Sequence, residues 1–119
     1  MEKKIHWYKI ADHINELEFP ENQICLVEVK GKRICIARFG ESIFAFSNKC
    51  PHASGPMAEG YIDSGGNVVC PIHRYKYDMK NGRNVSGEGY YLKNWPVEIR
   101  EKGVFVGLDE GGSFWDLFR

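Results

Sequence analysis

Apolar and polar positions alternate over short stretches along most of this chain, with turn residues between them. Ile5 to Ile10 is a brief apolar–polar run that predicts an edge strand. Residues 11–22 contain Pro20 and many polar side chains, which predicts a connection holding one helical turn. Gln23 to Val29 and Arg33 to Phe39 are rich in Ile, Val, Leu and Cys and predict two strands. Lys30-Gly31-Lys32 between them reads as a hairpin turn centred near Gly31-Lys32. Gly40-Glu41 punctuates again, and Ser42 to Ser47 sets Ile43, Phe44 and Phe46 among smaller residues. Further strands are predicted over Asn67 to Cys70 and over Arg74 to Met79, the second closed by the turn dipeptide Asn81-Gly82. Trp95 to Glu101 and Val104 to Leu108 predict a last hairpin around Lys102-Gly103. Short strands at this spacing predict an all-β fold, an antiparallel sandwich or barrel.

Composition narrows the class without naming a chemistry. A chain of 119 residues is one domain, 1–119, and can bury a real core without disulfides. Internal repeats, low-complexity stretches and linkers are not evident in the sequence. Lys plus Arg equal Asp plus Glu at 16 each, so the net charge is zero and a general nucleic-acid partner is not expected. No stretch approaches the ~20 apolar residues of a membrane span. The N-terminus Met1-Glu2-Lys3-Lys4-Ile5-His6-Trp7 shows no apolar signal core, so a cytoplasmic location without membrane attachment is expected.

The chemistry is carried by Cys50, His52, Cys70 and His73. They form two blocks, Cys50-Pro51-His52 and Cys70-Pro71-Ile72-His73, separated by residues 53–69. Two thiolates and two imidazoles, one of each from either block, can hold a metal centre between two loops. Structural zinc also takes four N and S ligands, but its sites pair like residues, Cys with Cys and His with His, at longer spacings. Iron–sulfur clusters usually take four thiolates, and one variation replaces two of them by histidines on one iron.

With these spacings the chain resembles the Rieske family of [2Fe–2S] proteins. Cys50 and Cys70 match that family's thiolate ligands to the buried iron, and His52 and His73 match the ligands of the solvent-facing iron. Further matches are Gly55 with the apolar Met57 after the first block, Gly60, and Tyr75, Tyr77, Asn81 and Gly82 after the second. The resemblance implies a β base with a small inserted cluster-binding subdomain, here about 48–75, and one [2Fe–2S] cluster as cofactor. It implies that Gly55 and Gly60 permit turns aiming N–H groups at the sulfides, and that Met57 covers the cluster as an apolar lid. Pro51 and Pro71 stiffen the loops. Arg74 departs from the family, which commonly has Gly there. High-potential relatives also carry an extra cysteine pair, bridged in their cluster loops; Met57 or its neighbours and Ile72 stand at the comparable positions, so that bridge is absent. This groups the chain with the Rieske-type ferredoxins and oxygenase Rieske domains.

Ligand charge predicts how such a centre behaves. Two ferric ions, two sulfides and two thiolates sum to zero with neutral imidazoles, so an added electron meets less charge than in an all-cysteine cluster. Rieske centres accordingly span about −150 to +300 mV, against about −400 mV for plant-type ferredoxins. Where high-potential relatives have a Ser that bonds a sulfide, this chain has Tyr75; the Tyr that bonds a ligand thiolate is retained as Tyr77. One donor of two predicts a potential near the low end of the range.

The remaining features are less specific. Pairing about Gly31-Lys32 would set Cys25 opposite Arg38 rather than Cys35, which disfavours a disulfide and leaves both as small core residues. Lys49, Arg74, Lys76, Lys80 and Arg83 lie near the ligand blocks and read as a solvated face, or as a rim that steers an acidic partner. His6 and His13 read as surface residues. The tail, about 109–119, carries Phe114, Trp115 and Phe118 after Gly111-Gly112, with Ser113 and Asp116 at capping-box spacing; it packs over the base or docks a partner.

The expected function is one-electron transfer through the His52/His73 edge, with a reductase and a terminal oxygenase or other oxidoreductase as partners and the chain a monomer. Catalytic residues are not expected: triad, P-loop and dinucleotide fingerprints do not occur. The alternatives are a small Rieske subunit of a redox complex, like that of nitrite reductase, and a redox or iron sensor.

Overall fold

A computed structural model describes residues 5–52 and 54–109. The elements in order are β1 (Ile5–Ala11), β2 (Ile24–Val29), β3 (Lys32–Phe39), β4 (Ser42–Ser47), β5 (Tyr61–Ile62), β6 (Asn67–Val69), β7 (Lys76–Asp78), β8 (Asn94–Trp95), β9 (Val97–Arg100) and β10 (Gly103–Asp109). Short 3-10 turns occur at Ile14–Glu16 and Met57–Glu59. Three antiparallel sheets result, ordered β1-β10-β9, β2-β3-β4-β8 and β5-β6-β7. The all-β expectation holds, and β1 is an edge strand as its short run predicted. The C-terminal tail with Phe114, Trp115 and Phe118 lies outside the described residues.

Alternation along β3 and β4 explains how the layers stack. Ile34, Ile36, Ile43 and Ala45 project to one face and pack with Val106 and Leu108 of β10. Cys35, Ala37, Phe44 and Phe46 project to the other and pack with Val68, Tyr77 and the cysteines of the ligand blocks. Successive strand residues point to opposite faces, so the unbroken run Ile34-Cys35-Ile36-Ala37 is a strand buried on both sides. The middle sheet is therefore a platform, with β1-β10-β9 beneath it and the small sheet β5-β6-β7 above.

Two local readings need correction. The β2–β3 turn is centred on Lys30-Gly31, one residue earlier than expected, because both residues take positive φ (53° and 79°) as a two-residue type I′ turn requires. Cys25 therefore faces Ile36, and Cys35 faces Leu26. Both cysteines are free and lie in different core clusters, and burial pushes the Cys35 thiol up to about 12. The strand expected over Trp95 to Glu101 is split at Pro96 into β8 and β9, since proline has no N–H for the ladder. The short strand β5 was not expected; with only Tyr61 and Ile62 it is too brief to leave a periodic signal. His13 is exposed, as expected, and its Nδ1 accepts the Asn15 N–H at 3.1 Å and caps the first 3-10 turn.

Candidate metal centre

Both predicted ligand blocks fold into the same turn. In loop one, residues 50–55, the Cys50 N–H donates to the Gly55 carbonyl at 2.9 Å and the Ser54 N–H donates back to the Cys50 carbonyl at 2.8 Å. In loop two, residues 70–75, the Cys70 N–H donates to the Tyr75 carbonyl at 2.9 Å and the Arg74 N–H to the Cys70 carbonyl at 3.0 Å. Each turn passes through a residue in the left-handed region, Ser54 at φ 56° and Arg74 at φ 61°. The glycine-like conformation at Arg74 is thus kept although the residue is not glycine. The histidines occupy different places in this shared turn, His52 two residues after its cysteine and His73 three.

The donors arrive as two pairs. Cys50 and Cys70 are 2% and 1% exposed and share a core cluster with Met57, Val68 and Tyr77. His52 is half-buried and His73 exposed, with ring centroids 4.7 Å apart at 75°. Among the described residues, no three His, Cys, Asp or Glu side chains gather as one metal ion would require. Zinc needs all its ligands around a single ion. A two-iron cluster with mixed ligation takes two cysteines on one iron and two histidines on the other.

The surroundings suit such a group. His52 Nδ1 is buried and has no hydrogen-bond partner in the protein. An unpartnered buried polar atom costs about 1–3 kcal/mol, so this nitrogen needs an acceptor of its lone pair. Burial pushes the Cys70 thiol up; N–H groups of Ile72 and His73 favour its thiolate, and the adjacent Cys50 opposes it. A bound cation resolves that conflict by deprotonating the thiol. The Tyr77 hydroxyl, fully buried, lies 3.5 Å from Cys50 Sγ. Burial, then the contact with Cys50, push this hydroxyl up, so it stays protonated and can donate to a Cys50 thiolate.

Packing around the loops is close. A Cβ on Gly55 would lie 2.5 Å from Ile72 Cγ1 and 3.2 Å from Cys70 Sγ, and one on Gly60 would lie 2.0 Å from the Val69 carbonyl oxygen. These glycines let the loops meet. Met57 is fully buried and shares a core cluster with both cysteines. Asn48 ties loop one to the platform: its Oδ1 accepts the Ala58 N–H at 3.0 Å and the Cys35 thiol at 3.5 Å, and its carbonyl accepts the Met57 N–H at 2.7 Å. All five basic residues, Lys49, Arg74, Lys76, Lys80 and Arg83, are exposed, and Lys76 lies 3.8 Å from Asp63.

Aromatic rings flank the imidazoles. Tyr75 lies 4.6 Å from the His52 ring and 5.8 Å from the His73 ring. Tyr90, 5.4 Å from His52, comes from a segment that the motif does not include. Asn48 and Tyr90 were not singled out in the sequence. Asn48 stands two residues before Cys50 and could have been suspected; Tyr90 left no local signal.

Three sheets support two cysteine–histidine loops, and comparison with known proteins gives the family. The model of the Rieske [2Fe-2S] domain matches residues 6–96, and the chain belongs to that family. It therefore carries one [2Fe–2S] cluster. The chain is 29% identical over 89 residues to the ferredoxin component of a naphthalene 1,2-dioxygenase system from Pseudomonas putida, covering 74% of this chain and 85% of that one. A solved ferredoxin of carbazole 1,9a-dioxygenase from Nocardioides aromaticivorans has the same fold, with TM-score 0.72 at 20% identity over 84% of this chain and 95% of that one. A ferredoxin chain solved in complex with its oxygenase in carbazole 1,9a-dioxygenase gives TM-score 0.70 at 24% identity, covering 84% and 91%. Among the described residues no helix is long and apolar enough to cross a membrane.

Proposed function

We propose that this protein is a one-electron carrier, loaded by a reductase and discharged by an oxygenase or another oxidoreductase. In this reading Cys50 and Cys70 hold one iron and His52 and His73 the other. The observation that carries it is the split of the donors into a buried thiol pair and a neighbouring imidazole pair, His52 half-buried and His73 exposed, with His52 Nδ1 buried and unpartnered. The cluster supplies the capacity to take up and release a single electron. The chain's residues do the rest. N–H groups of Ile72 and His73 and the Tyr77 hydroxyl point at the sulfurs, where they stabilise added negative charge. Exposed His73 shortens the path to a partner. A cluster-binding subdomain over about 48–75, a monomeric state, a cytoplasmic location and a potential at the low end of the Rieske range belong to the same reading. Relatives that are ferredoxin components of dioxygenase systems support it.

The test is electron paramagnetic resonance of aerobically purified protein before and after dithionite, with iron and zinc assayed on the same sample. A signal of low average g that appears only on reduction, with two irons per chain, is expected. Cys50→Ser, Cys70→Ser, His52→Ala and His73→Ala should each abolish it. One zinc per chain and a silent spectrum would overturn the carrier. Rapid reversible exchange with a reductase separates a carrier from a tightly held subunit of a redox complex.

A further inference from the structure

Tyr90 stacks on Tyr75 with centroids 6.1 Å apart at 20°, and both rings lie against His52. The two histidines are therefore not equivalent: His52 is enclosed by tyrosines and half-buried, while His73 is exposed. The segment that delivers Tyr90 is held as an arch on β7. Asn84 Oδ1 accepts the N–H groups of Glu88 at 2.6 Å and Gly89 at 3.0 Å, and its amide donates to the Glu88 carboxylate at 2.9 Å and the Lys76 carbonyl at 3.2 Å. Ser86 Oγ donates to the Glu88 carboxylate and accepts the Lys76 N–H at 2.9 Å. The Val85 N–H donates to the Lys76 carbonyl at 2.9 Å, and a bridge between Arg83 and Tyr91 secures the far side. Gly87 and Gly89, at φ 96° and 83°, let the chain turn twice within the arch. These bonds hold the segment that carries Tyr90, and the 38%-exposed ring is placed by its contacts with Tyr75 and His52.

We infer that Tyr90, together with Tyr75, caps His52 and leaves His73 as the single imidazole edge open to redox partners. Tyr90 is a positioning residue: it touches His52, restrains that ring and keeps water and partners off it. The inference rests on the assignment of His52 and His73 as ligands. The physical reason is that an apolar shell around a ligand controls solvent access to it, and that a tyrosine ring brings a large flat apolar face with little freedom to lose.

Acylation by diethyl pyrocarbonate, followed by mass spectrometry of the cluster-loaded protein at constant pH, tests it. His73 should react well before His52. Tyr90→Ala should remove the protection of His52 and leave the His73 rate unchanged, whereas Tyr90→Phe should retain the protection. Tyr90→Leu, which keeps bulk without the flat face, should protect only in part and serves where the alanine variant fails to fold. Equal reactivity of the two histidines in the parent protein, or a protected His52 in a folded Tyr90→Ala variant, overturns the cap. The resonance spectrum of the same samples separates the two assignments. With the reduced signal present and His52 as reactive as His73, the cap fails and the ligand set stands; with no signal, the ligand set fails whatever the labelling.

Discussion

Loop one and loop two place a cysteine, a proline, a left-handed residue and a closing carbonyl at equivalent positions, with hydrogen bonds that differ in length by at most 0.2 Å. They part company at the closing residue. Loop one closes on Gly55, which nestles against Ile72 and Cys70 Sγ. Loop two closes on Tyr75, whose ring lies beside both imidazoles. The difference teaches that one backbone turn can serve two tasks. Where the closing side chain is absent, the other loop can approach; where it is a ring, it builds a wall. A one-residue offset of histidine within the turn then sets one imidazole under that wall and the other in solvent.

The comparison breaks most readily at Gly55. Gly55→Ala should lower the iron content per chain sharply, measured by iron assay and visible absorbance. Adding Ile72→Ala should restore part of it, because the 2.5 Å contact is removed and the 3.2 Å contact with Cys70 Sγ remains. Full retention of iron by Gly55→Ala alone would mean the loops do not need to meet this closely.

Tyr77→Phe tests the donor on loop one's cysteine, which sits 3.5 Å from the hydroxyl. A hydrogen bond to a group gaining charge, at about 1 kcal/mol of differential stabilisation, corresponds to about 40 mV for one electron, so the midpoint potential should fall by about that much. An unchanged potential in voltammetry would remove Tyr77 from the account.

Loop two is carried by the β5–β6–β7 sheet, and its hairpin depends on Asp63. The Asp63 carboxylate accepts N–H groups of Gly65 at 2.9 Å and Asn67 at 3.0 Å. Burial raises its pKa, but bonds from Asn67 and Gly65 and the charge of Lys76 outweigh this and hold it below the usual carboxylate range. A depressed folded-state pKa stabilises the protein above the unfolded value of about 3.9, and that stability is lost as pH falls through the folded value. Asp63→Asn should therefore flatten the dependence of melting temperature on pH below about pH 4. A variant whose acid profile overlays the parent's would rule this out.

The smallest effect concerns the shared left-handed position. A non-glycine residue there costs about 1–2 kcal/mol, and glycine gives back about 0.5–1 in chain entropy, so Arg74→Gly and Ser54→Gly should each stabilise by about 0.5–1 kcal/mol in denaturant melts. Similar gains at both sites would sharpen the equivalence of the loops; a gain at one only would show that the turns are strained differently.

Much of this was legible in the residues. Strand patterns recur every two residues, and the ligand blocks are local spacings, so both could be read without a fold. Lys30-Gly31 was read one residue late because a turn type depends on φ at two positions, which lysine does not advertise. Burial of β3 on both faces was only latent in Ile34-Cys35-Ile36-Ala37, since a short apolar run does not say what lies on either side.

By itself, the sequence determined the two cysteine–histidine blocks and the all-β class, because each follows from residue type and short spacing. Only the tertiary structure decided that the two cysteines are buried while His52 is half-buried and His73 exposed, that Met57 is core, and that Tyr90 lies against His52. Those depend on the approach of segments tens of residues apart, which hydrogen bonds such as Asn84 to Lys76 and contacts such as Gly55 to Ile72 bring together. Local chemistry is written in the chain one stretch at a time; which side of the centre faces water is a property of the packed whole.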